Sequence, residues 1–289
     1  MRYQIRLTID YTYQAASDHV RNLLRLIPAN RPNQRVTEAR LLIEPPPDER
    51  RDGRDFFGNA VSAVAWREPV QQITFALEAR AERLAAPVTD LSPRLSGLAA
   101  ELSGTDLGPD SPQHFLSASP RIPVDPAISA FARTAVPAGA SALEAVQAVG
   151  RALFRAMTYD PEATDVHTPP AEAFAARHGV CQDFAQIMIA GLRALGVPAG
   201  YVSGFLRTYP PPGQPRLAGV DAMHAWVAAW VGPAQGWVEF DPTNDQWAGE
   251  DYITVAVGRD YADAAPVKGV LRSARGHSGG QAVDVIPLD

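Results

Sequence analysis

The first ninety residues alternate between apolar and polar positions with the two-residue period of β-strands. The apolar runs lie at 3–9, 20–27, 36–43, 61–66 and 73–79, separated by stretches that contain Pro, Gly or Asn. Short runs between such turn residues predict an all-β sandwich or small barrel over residues 1–90. The stretch 49–54 carries charges of both signs, so it is predicted to be a solvated turn.

The composition changes after this β-rich region. Residues 91–123 are rich in Ser, Pro and Gly, which predicts a linker with one short helix. Residues 124–289 form the second predicted domain. Its helical periodicity starts at Ser141, where Ser-Ala-Leu-Glu matches a capping box that satisfies free amide donors at a helix start. This helix is predicted to end near Pro161.

The next predicted helices lead to the only cysteine of the chain. A short helix is predicted between Pro170 and Gly179, and another from Cys181 to about residue 195. The latter is apolar nearly all round, which is typical of a helix buried in the middle of a domain. Strand-like runs follow at 200–206, 224–231, 236–240 and 282–286.

Composition and charge exclude several classes of protein. Of the 289 residues, 46% are hydrophobic and 20% are charged, which is typical of a soluble globular chain. The net charge of -6 argues against a nucleic-acid or membrane partner, because such partners select for a basic face. The chain has neither a signal-peptide core nor an apolar window long enough to span a membrane, and one cysteine allows no intrachain disulfide. A cytoplasmic protein is therefore expected.

Cys181 lies where a nucleophile would be activated. A cysteine attacks carbonyl carbon as the thiolate, and the unpaired amides and dipole at a helix N-terminus favour an anion. Cys181 follows Gly179 closely and begins the predicted buried helix. Such a thiolate also needs an imidazole that shares its proton and a carboxylate that orients the imidazole.

His224 and Asp241 supply these two groups on neighbouring predicted strands. His224 begins the run 224–231, and Asp241 follows the run 236–240. Their midpoint falls in the Gly232-Pro233 turn, so a hairpin that pivots there places Asp241 opposite His224 or within about one residue of it. The sequence therefore predicts a Cys–His–Asp triad.

Four motifs in this order resemble the transglutaminase-like superfamily. They are Gly-Val-Cys-Gln-Asp-Phe-Ala at 179–185, Gly-Val-Pro-Ala at 196–199, His-Ala-Trp-Val at 224–227 and Gly-Trp-Val-Glu-Phe-Asp-Pro-Thr-Asn at 236–244. More narrowly, the chain resembles bacterial members regarded as cysteine proteases, which carry an N-terminal β-rich region. The resemblance implies an α+β, papain-like core, in which the nucleophile helix packs on an antiparallel sheet. It also implies that Cys181 is the nucleophile, His224 the base and Asp241 the orienting carboxylate.

Other residues are weaker candidates for the site. The Cys181 backbone amide is one expected oxyanion donor, and Gln182 or the 165–168 loop, which contains His167, is a candidate for the second. Trp226 is predicted to line a substrate groove. The segment 208–221 leads directly to His224 and is predicted to shape the cleft. Asp183 and Glu239 are interpreted as a helix-start charge and a surface charge.

Three functional hypotheses follow from these residues. No histidine pair with metal-ligand spacing and no Asp-rich calcium loop occurs in the sequence, so neither a metal nor another cofactor is predicted. The favoured hypothesis is a peptidase or amidase that forms a thioester at Cys181 from a peptide or protein substrate and passes the acyl group to water. Transfer to an amine, as in a transglutaminase, is the alternative. A binding protein that keeps the fold without activity is the third, and the oligomeric state is left open.

Overall fold

The structure is a computed structural model that describes residues 1–85, 88–209, 218–219, 221–272 and 277–288. Five strands open the chain: β1 (Arg2–Leu24), β2 (Gln34–Glu44), β3 (Glu49–Arg54), β4 (Ala60–Ala65) and β5 (Val70–Arg83). The helices are α1 (Leu98–Leu102), α2 (Pro126–Ala135), α3 (Ala142–Ala156), α4 (Pro170–Ala176), α5 (Cys181–Ala194) and α6 (Tyr261–Ala264). The later strands are β6 (Thr158–Tyr159), β7 (His178–Gly179), β8 (Ala199–Leu206), β9 (Ala222–Trp230), β10 (Trp237–Asp241), β11 (Gln246–Trp247), β12 (Tyr252–Gly258), β13 (Val267–Arg272) and β14 (His277–Pro287).

The N-terminal region is all-β, as its alternation predicts, and is organised around β1. The sequence predicts two separate strands at 3–9 and 20–27, whereas β1 is continuous over 23 residues. The first half of β1 pairs with β5 and β14, and its second half pairs with β4 and β13. Because neighbours flank both halves, the stretch between the two apolar runs stays within the strand, although the pairing changes register after Thr12 and His19 has a positive φ of 54°.

The charged stretch 49–54 is a strand and not the predicted solvated turn. It forms β3, which pairs with β4 at one edge of the sheet and has every side chain exposed. With no buried face, β3 lacks the alternation that would identify it from the sequence. Charged side chains are typical of an exposed edge strand because they discourage pairing with other chains.

The last two strands join the N-terminal sheet. The alternating run 282–286 is a strand, as predicted, and lies within β14. β14 pairs with β1 from Tyr3, opposite Pro287, to Tyr13, opposite His277. The C-terminal segment therefore packs with the first strand and not with the nucleophile helix.

The second half of the chain forms the predicted α+β core. Its antiparallel sheet has the strand order β11-β10-β9-β8-β12. Helix α5 packs on β8 and β9, and α2, α3 and α4 surround it. Every α5 residue from 182 to 192 is buried, as the all-round apolar pattern predicts. Of the helices in the described part of the chain, none combines the length and apolar character that a membrane crossing requires.

Several local predictions in this half are refined. Ser141 and Glu144 form the predicted capping box of α3, but the helix ends at Ala156, because the next residues form β6. Helix α2 and strand β12 are absent from the sequence prediction. The stretch 91–123 contains α1 and buries Leu98, Phe115 and Ile122, so it packs on the rest of the molecule.

The N-terminal region covers the outer edge of β12. The Gln34 side chain donates to the carbonyl of Thr254 (2.7 Å) and accepts from the Thr254 N–H (2.8 Å). Asn59 makes the same pair of contacts with Val257 (2.7 and 2.9 Å). Two side-chain amides thus take the place of a neighbouring strand.

Candidate active site

Cys181 is the first residue of α5, as predicted, and its surroundings fix the start of the helix. The Asp183 carboxylate is wholly buried, and one of its oxygens accepts hydrogen bonds from the Val180 N–H (2.8 Å) and the Thr164 hydroxyl (2.5 Å). Burial raises the pKa of Asp183 above its usual value. A Cβ on Gly179 would lie 2.7 Å from this carboxylate, so only glycine fits there. The helix-start role predicted for Asp183 is confirmed.

His224 and Asp241 lie on the predicted hairpin, but its register differs from the prediction. Trp237 pairs with Trp230 and Phe240 with Val227, so the next step places Asp241 opposite Trp226, two residues from His224. The reason is a four-residue loop, closed by a hydrogen bond from the Val231 N–H to the Gly236 carbonyl. An even shift keeps both side chains on one face of the sheet, so they still meet diagonally.

The Asp241 carboxylate has no solvent exposure and accepts four hydrogen bonds. One oxygen accepts from the His224 Nε2, the Asn244 amide and the Tyr252 hydroxyl, each at 2.7 Å. The other accepts from the Thr243 N–H at 2.8 Å. Burial raises the pKa of Asp241, but the hydrogen bonds and the His224 charge outweigh it, and the pKa falls below its usual value.

His224 lies between the carboxylate and the thiol. Its Nε2 is 2.7 Å from Asp241 Oδ2, and Cys181 is near enough to contribute to the raised pKa of its ring. Nδ1 is therefore the ring nitrogen that is left for an interaction with the thiol. Burial lowers the pKa of His224, but the hydrogen bonds and charges of Asp241 and Cys181 outweigh it and raise the pKa from 6.5 to about 10. At neutral pH the His224 ring is therefore an imidazolium.

Trp226 forms the floor beneath His224 and not an open groove. Its side chain is fully buried, and its ring stacks on His224 with centroids 6.3 Å apart. Its Nε1 donates to the Glu239 carboxylate at 3.2 Å. Glu239, interpreted from the sequence as a surface charge, also forms an ion pair with the buried Arg83 at 2.7 Å, because Arg83 of β5 reaches across from the N-terminal region.

Comparison with known proteins identifies the family. The transglutaminase-like superfamily matches residues 129–242, and the bacterial transglutaminase-like N-terminal region matches residues 3–82. An uncharacterized protein of Mycobacterium tuberculosis is 34% identical over 305 residues, which cover 100% of this chain and 93% of that protein. A Mycobacterium leprae relative is 32% identical over 279 residues, covering 95% of this chain and 94% of that protein. This chain belongs to the transglutaminase-like superfamily.

One further similarity, to a solved structure, covers the whole chain, and another, in sequence, covers only part of it. The crystal structure of a candidate cysteine protease from Cytophaga hutchinsonii has a TM-score of 0.78, covers 100% of this chain and 91% of that chain, and is 20% identical. At that identity the likeness shows the fold alone, and the predicted transglutaminase-like, papain-like core is confirmed. A protein-glutamine gamma-glutamyltransferase of Pseudomonas aeruginosa is 35% identical over 105 residues, which are 34% of this chain and 16% of that protein.

The other residues predicted for the transglutaminase-like site have different locations. Gln182 is buried and directly follows Cys181 on α5. His167 is exposed, and its ring nitrogen lies 3.5 Å from the Arg121 guanidinium. A cleft role for His167 stays a prediction. Most of the segment 208–221 lies outside the described residues.

Sequence reasoning missed two tyrosines of this site. Tyr252 of β12 donates to Asp241, and no local pattern links two residues so placed. Tyr159 is exposed, and the parallel pairing of β6 with β7 places it beside Gly179. Partial loss of hydration and the neighbouring Cys181 raise the pKa of Tyr159. Among the side chains that the structure describes, no group of three or more His, Cys, Asp or Glu residues could hold a metal ion.

Proposed function

We propose that this transglutaminase-like protein is a cysteine-dependent acyl-transfer enzyme that hydrolyses peptide or side-chain amides. The observation that carries the proposal is the placement of His224, whose Nε2 lies 2.7 Å from Asp241 Oδ2 and whose pKa is raised by both Asp241 and Cys181. The helix N-terminus at Cys181 adds a favourable field for a thiolate. A nucleophile, a base and an orienting carboxylate are the groups that acyl transfer requires.

The first half of the reaction forms a thioester. The Cys181 sulfur attacks the carbonyl carbon of the amide, a C–S bond forms, and the carbonyl electron pair moves to oxygen. The backbone N–H of Cys181 has no partner within the helix and donates to this oxyanion, and the Gln182 side-chain amide is the second proposed donor. When the C–N bond breaks, His224 gives its Nδ1 proton to the leaving amine.

The second half releases the acyl group. His224, now neutral, takes a proton from a water molecule whose oxygen attacks the thioester carbon. The new C–O bond forms, the C–S bond breaks, and the products are a carboxylic acid and the restored thiolate–imidazolium pair. Throughout both halves, Asp241 holds the ring orientation and stabilises the imidazolium.

Transfer to an amine is the second candidate function. It is favoured by the similarity over 105 residues to a protein-glutamine gamma-glutamyltransferase. Hydrolysis is favoured by the partial exposure of Cys181, since a thioester at this position is open to water. The chemistry on the enzyme is the same in both cases until the acceptor arrives.

The test supplies both acceptors at once. The protein is incubated with a glutamine-containing peptide amide and excess putrescine, and the products are identified and quantified by mass spectrometry. We expect free acid to form faster than the putrescine adduct, and Cys181→Ala to form neither. A faster adduct would favour the transglutaminase reaction, and no product from a range of peptide amides would favour a binding protein.

A further inference from the structure

An ion pair between a buried arginine and a partly buried glutamate joins the N-terminal region to the strand that carries Asp241. Arg83, the last residue of β5, has 1% of its side chain exposed, and its Nη2 donates to Glu239 Oε2 at 2.7 Å. The backbone of Arg83 is held by Met1 through hydrogen bonds in both directions, each 2.9 Å long. Glu239 lies in β10, two residues before Asp241. The pair therefore connects two parts of the chain that are distant in sequence.

The same Glu239 oxygen also binds Trp226, whose ring lies against His224. Oε2 accepts from the Trp226 Nε1 at 3.2 Å as well as from Arg83. The Trp226 ring stacks on His224 with 28° between the planes, and it meets Tyr252 edge-on with centroids 5.2 Å apart. Tyr252 in turn donates to Asp241. One carboxylate oxygen thus orients a ring that contacts both the imidazole and a partner of Asp241.

We infer that Arg83 is a positioning residue for the reaction at Cys181, acting through Glu239 and Trp226 on His224. This inference rests on the proposed function. Without Arg83, the largely buried Glu239 carboxylate loses its ion-pair partner, keeps only the more distant charge of Arg31, and turns toward water. The Trp226 N–H then loses its acceptor in a buried setting, so the ring no longer has one preferred orientation under His224.

The inference gives the N-terminal region a part in the chemistry. Gln34 from the same region bonds to both backbone groups of Thr254, two residues after Tyr252. The N-terminal region therefore holds β10 through Arg83 and β12 through Gln34. These two strands supply Asp241 and its Tyr252 partner.

Iodoacetamide provides a test that needs no substrate, because Cys181 is the only thiol. The second-order rate of alkylation at pH 6 reports the thiolate that His224 stabilises. We expect Arg83→Met to react roughly tenfold more slowly than wild type, since a small misplacement of a catalytic group has effects of this size or larger. Trp226→Phe, with Arg83 intact, should be slowed to the same extent.

A double variant separates positioning from stability. Arg83→Met with Glu239→Leu removes both charges, so its melting temperature should recover toward that of wild type. Its alkylation should stay slow, because Trp226 still lacks an acceptor. Recovery of the alkylation rate together with the melting temperature would overturn the inference.

Asn59→Ala is the matched control. It removes two buried bonds between the N-terminal region and β12 at Val257, away from Asp241. It should lower the melting temperature but keep the alkylation rate within about twofold of wild type. If Asn59→Ala and Arg83→Met slow alkylation equally, Arg83 is merely structural. If wild type itself reacts like a free thiol, the proposed function fails and not only the role of Arg83.

Discussion

Asp241 concentrates three donors on one carboxylate oxygen that has no solvent exposure. A buried carboxylate is costly unless it is paired, so these donors are what keep the charge in place. Only one of the three, His224, takes part in proton transfer in the proposed reaction. Asn244 and Tyr252 keep the oxygen directed at the imidazole.

The raised pKa of His224 sets the alkaline limit of the proposed reaction. Because Asp241 and Cys181 raise this pKa to about 10, the imidazolium persists through neutral pH and is lost only as the pH approaches 10. Leaving-group protonation needs the imidazolium, so kcat for peptide amide hydrolysis should hold to about pH 9 and then fall. Asp241→Asn removes the charge that raises the pKa of His224, so the alkaline fall in kcat, the alkaline limb of the pH profile, should move to lower pH. The measurement is the pH profile of kcat.

Tyr252→Phe is the control for that profile, because it removes one hydrogen bond but keeps the Asp241 charge. Its alkaline limb should move less than that of Asp241→Asn. An unchanged limb in Asp241→Asn would show that Asp241 does not govern the protonation of His224.

The reactivity of Cys181 should depend on His224. We expect the wild-type protein to react with iodoacetamide at pH 6 at least roughly tenfold faster than N-acetylcysteine, because a free thiol is almost wholly protonated there. His224→Ala should bring the rate down to that of the free thiol. His114→Ala, which alters a histidine bonded to the carbonyls of Leu107 and Gly108, should leave the rate unchanged. Equal rates for wild type and His224→Ala would contradict the proposed pairing of a Cys181 thiolate with a His224 imidazolium.

The start of α5 depends on the absence of a side chain at Gly179. In Gly179→Ala the new methyl would lie 2.7 Å from the Asp183 carboxylate, so the carboxylate or the helix start must move. We expect a loss of about 1–3 kcal/mol in the free energy of unfolding, measured by urea denaturation, together with slower alkylation of Cys181. Gly249→Ala, with no atom within 4 Å of the new Cβ, should cost little. Equal losses of unfolding free energy in both variants would show that position 179 does not require glycine.

The elements around the triad differ in how far the sequence predicts them. Helix α5 and the strands β9 and β10 have strong apolar patterns, and their motifs predict the three residues of the proposed triad from chemistry alone. The hairpin register was wrong by two residues, because loop length depends on backbone hydrogen bonds that composition does not specify. Tyr252 and Arg83 were missed, since each contacts the site only after distant segments pack together.

The sheet around β1 is closed by strands from both ends of the chain. β1 lies beside β4 and β5, which belong to the same N-terminal region, and beside β13 and β14, which come more than 240 residues later. Local alternation predicts that β14 is a strand but not which sheet it joins. Such long-range pairing raises the contact order, which is associated with slow folding.

The pairing predicts the behaviour of a fragment. Residues 1–90 alone lack β13 and β14, so one side of β1 carries unpaired backbone groups. We expect this fragment to aggregate, as measured by size-exclusion chromatography, and to become soluble when residues 91–289 are co-expressed. A monodisperse fragment with cooperative thermal unfolding would contradict the dependence on the last two strands.

The solitary state of Cys181 also governs how the protein responds to oxidants. In the proposed reaction Cys181 acts as a thiolate, and a partly exposed thiolate is readily oxidised to a sulfenic acid, with which a second cysteine condenses in many proteins to form a disulfide. This chain has no second cysteine. Reduction of the sulfenic acid must therefore come from a thiol of another molecule, such as glutathione, and without one the next oxidation step, to the sulfinic acid, would irreversibly inactivate the proposed nucleophile.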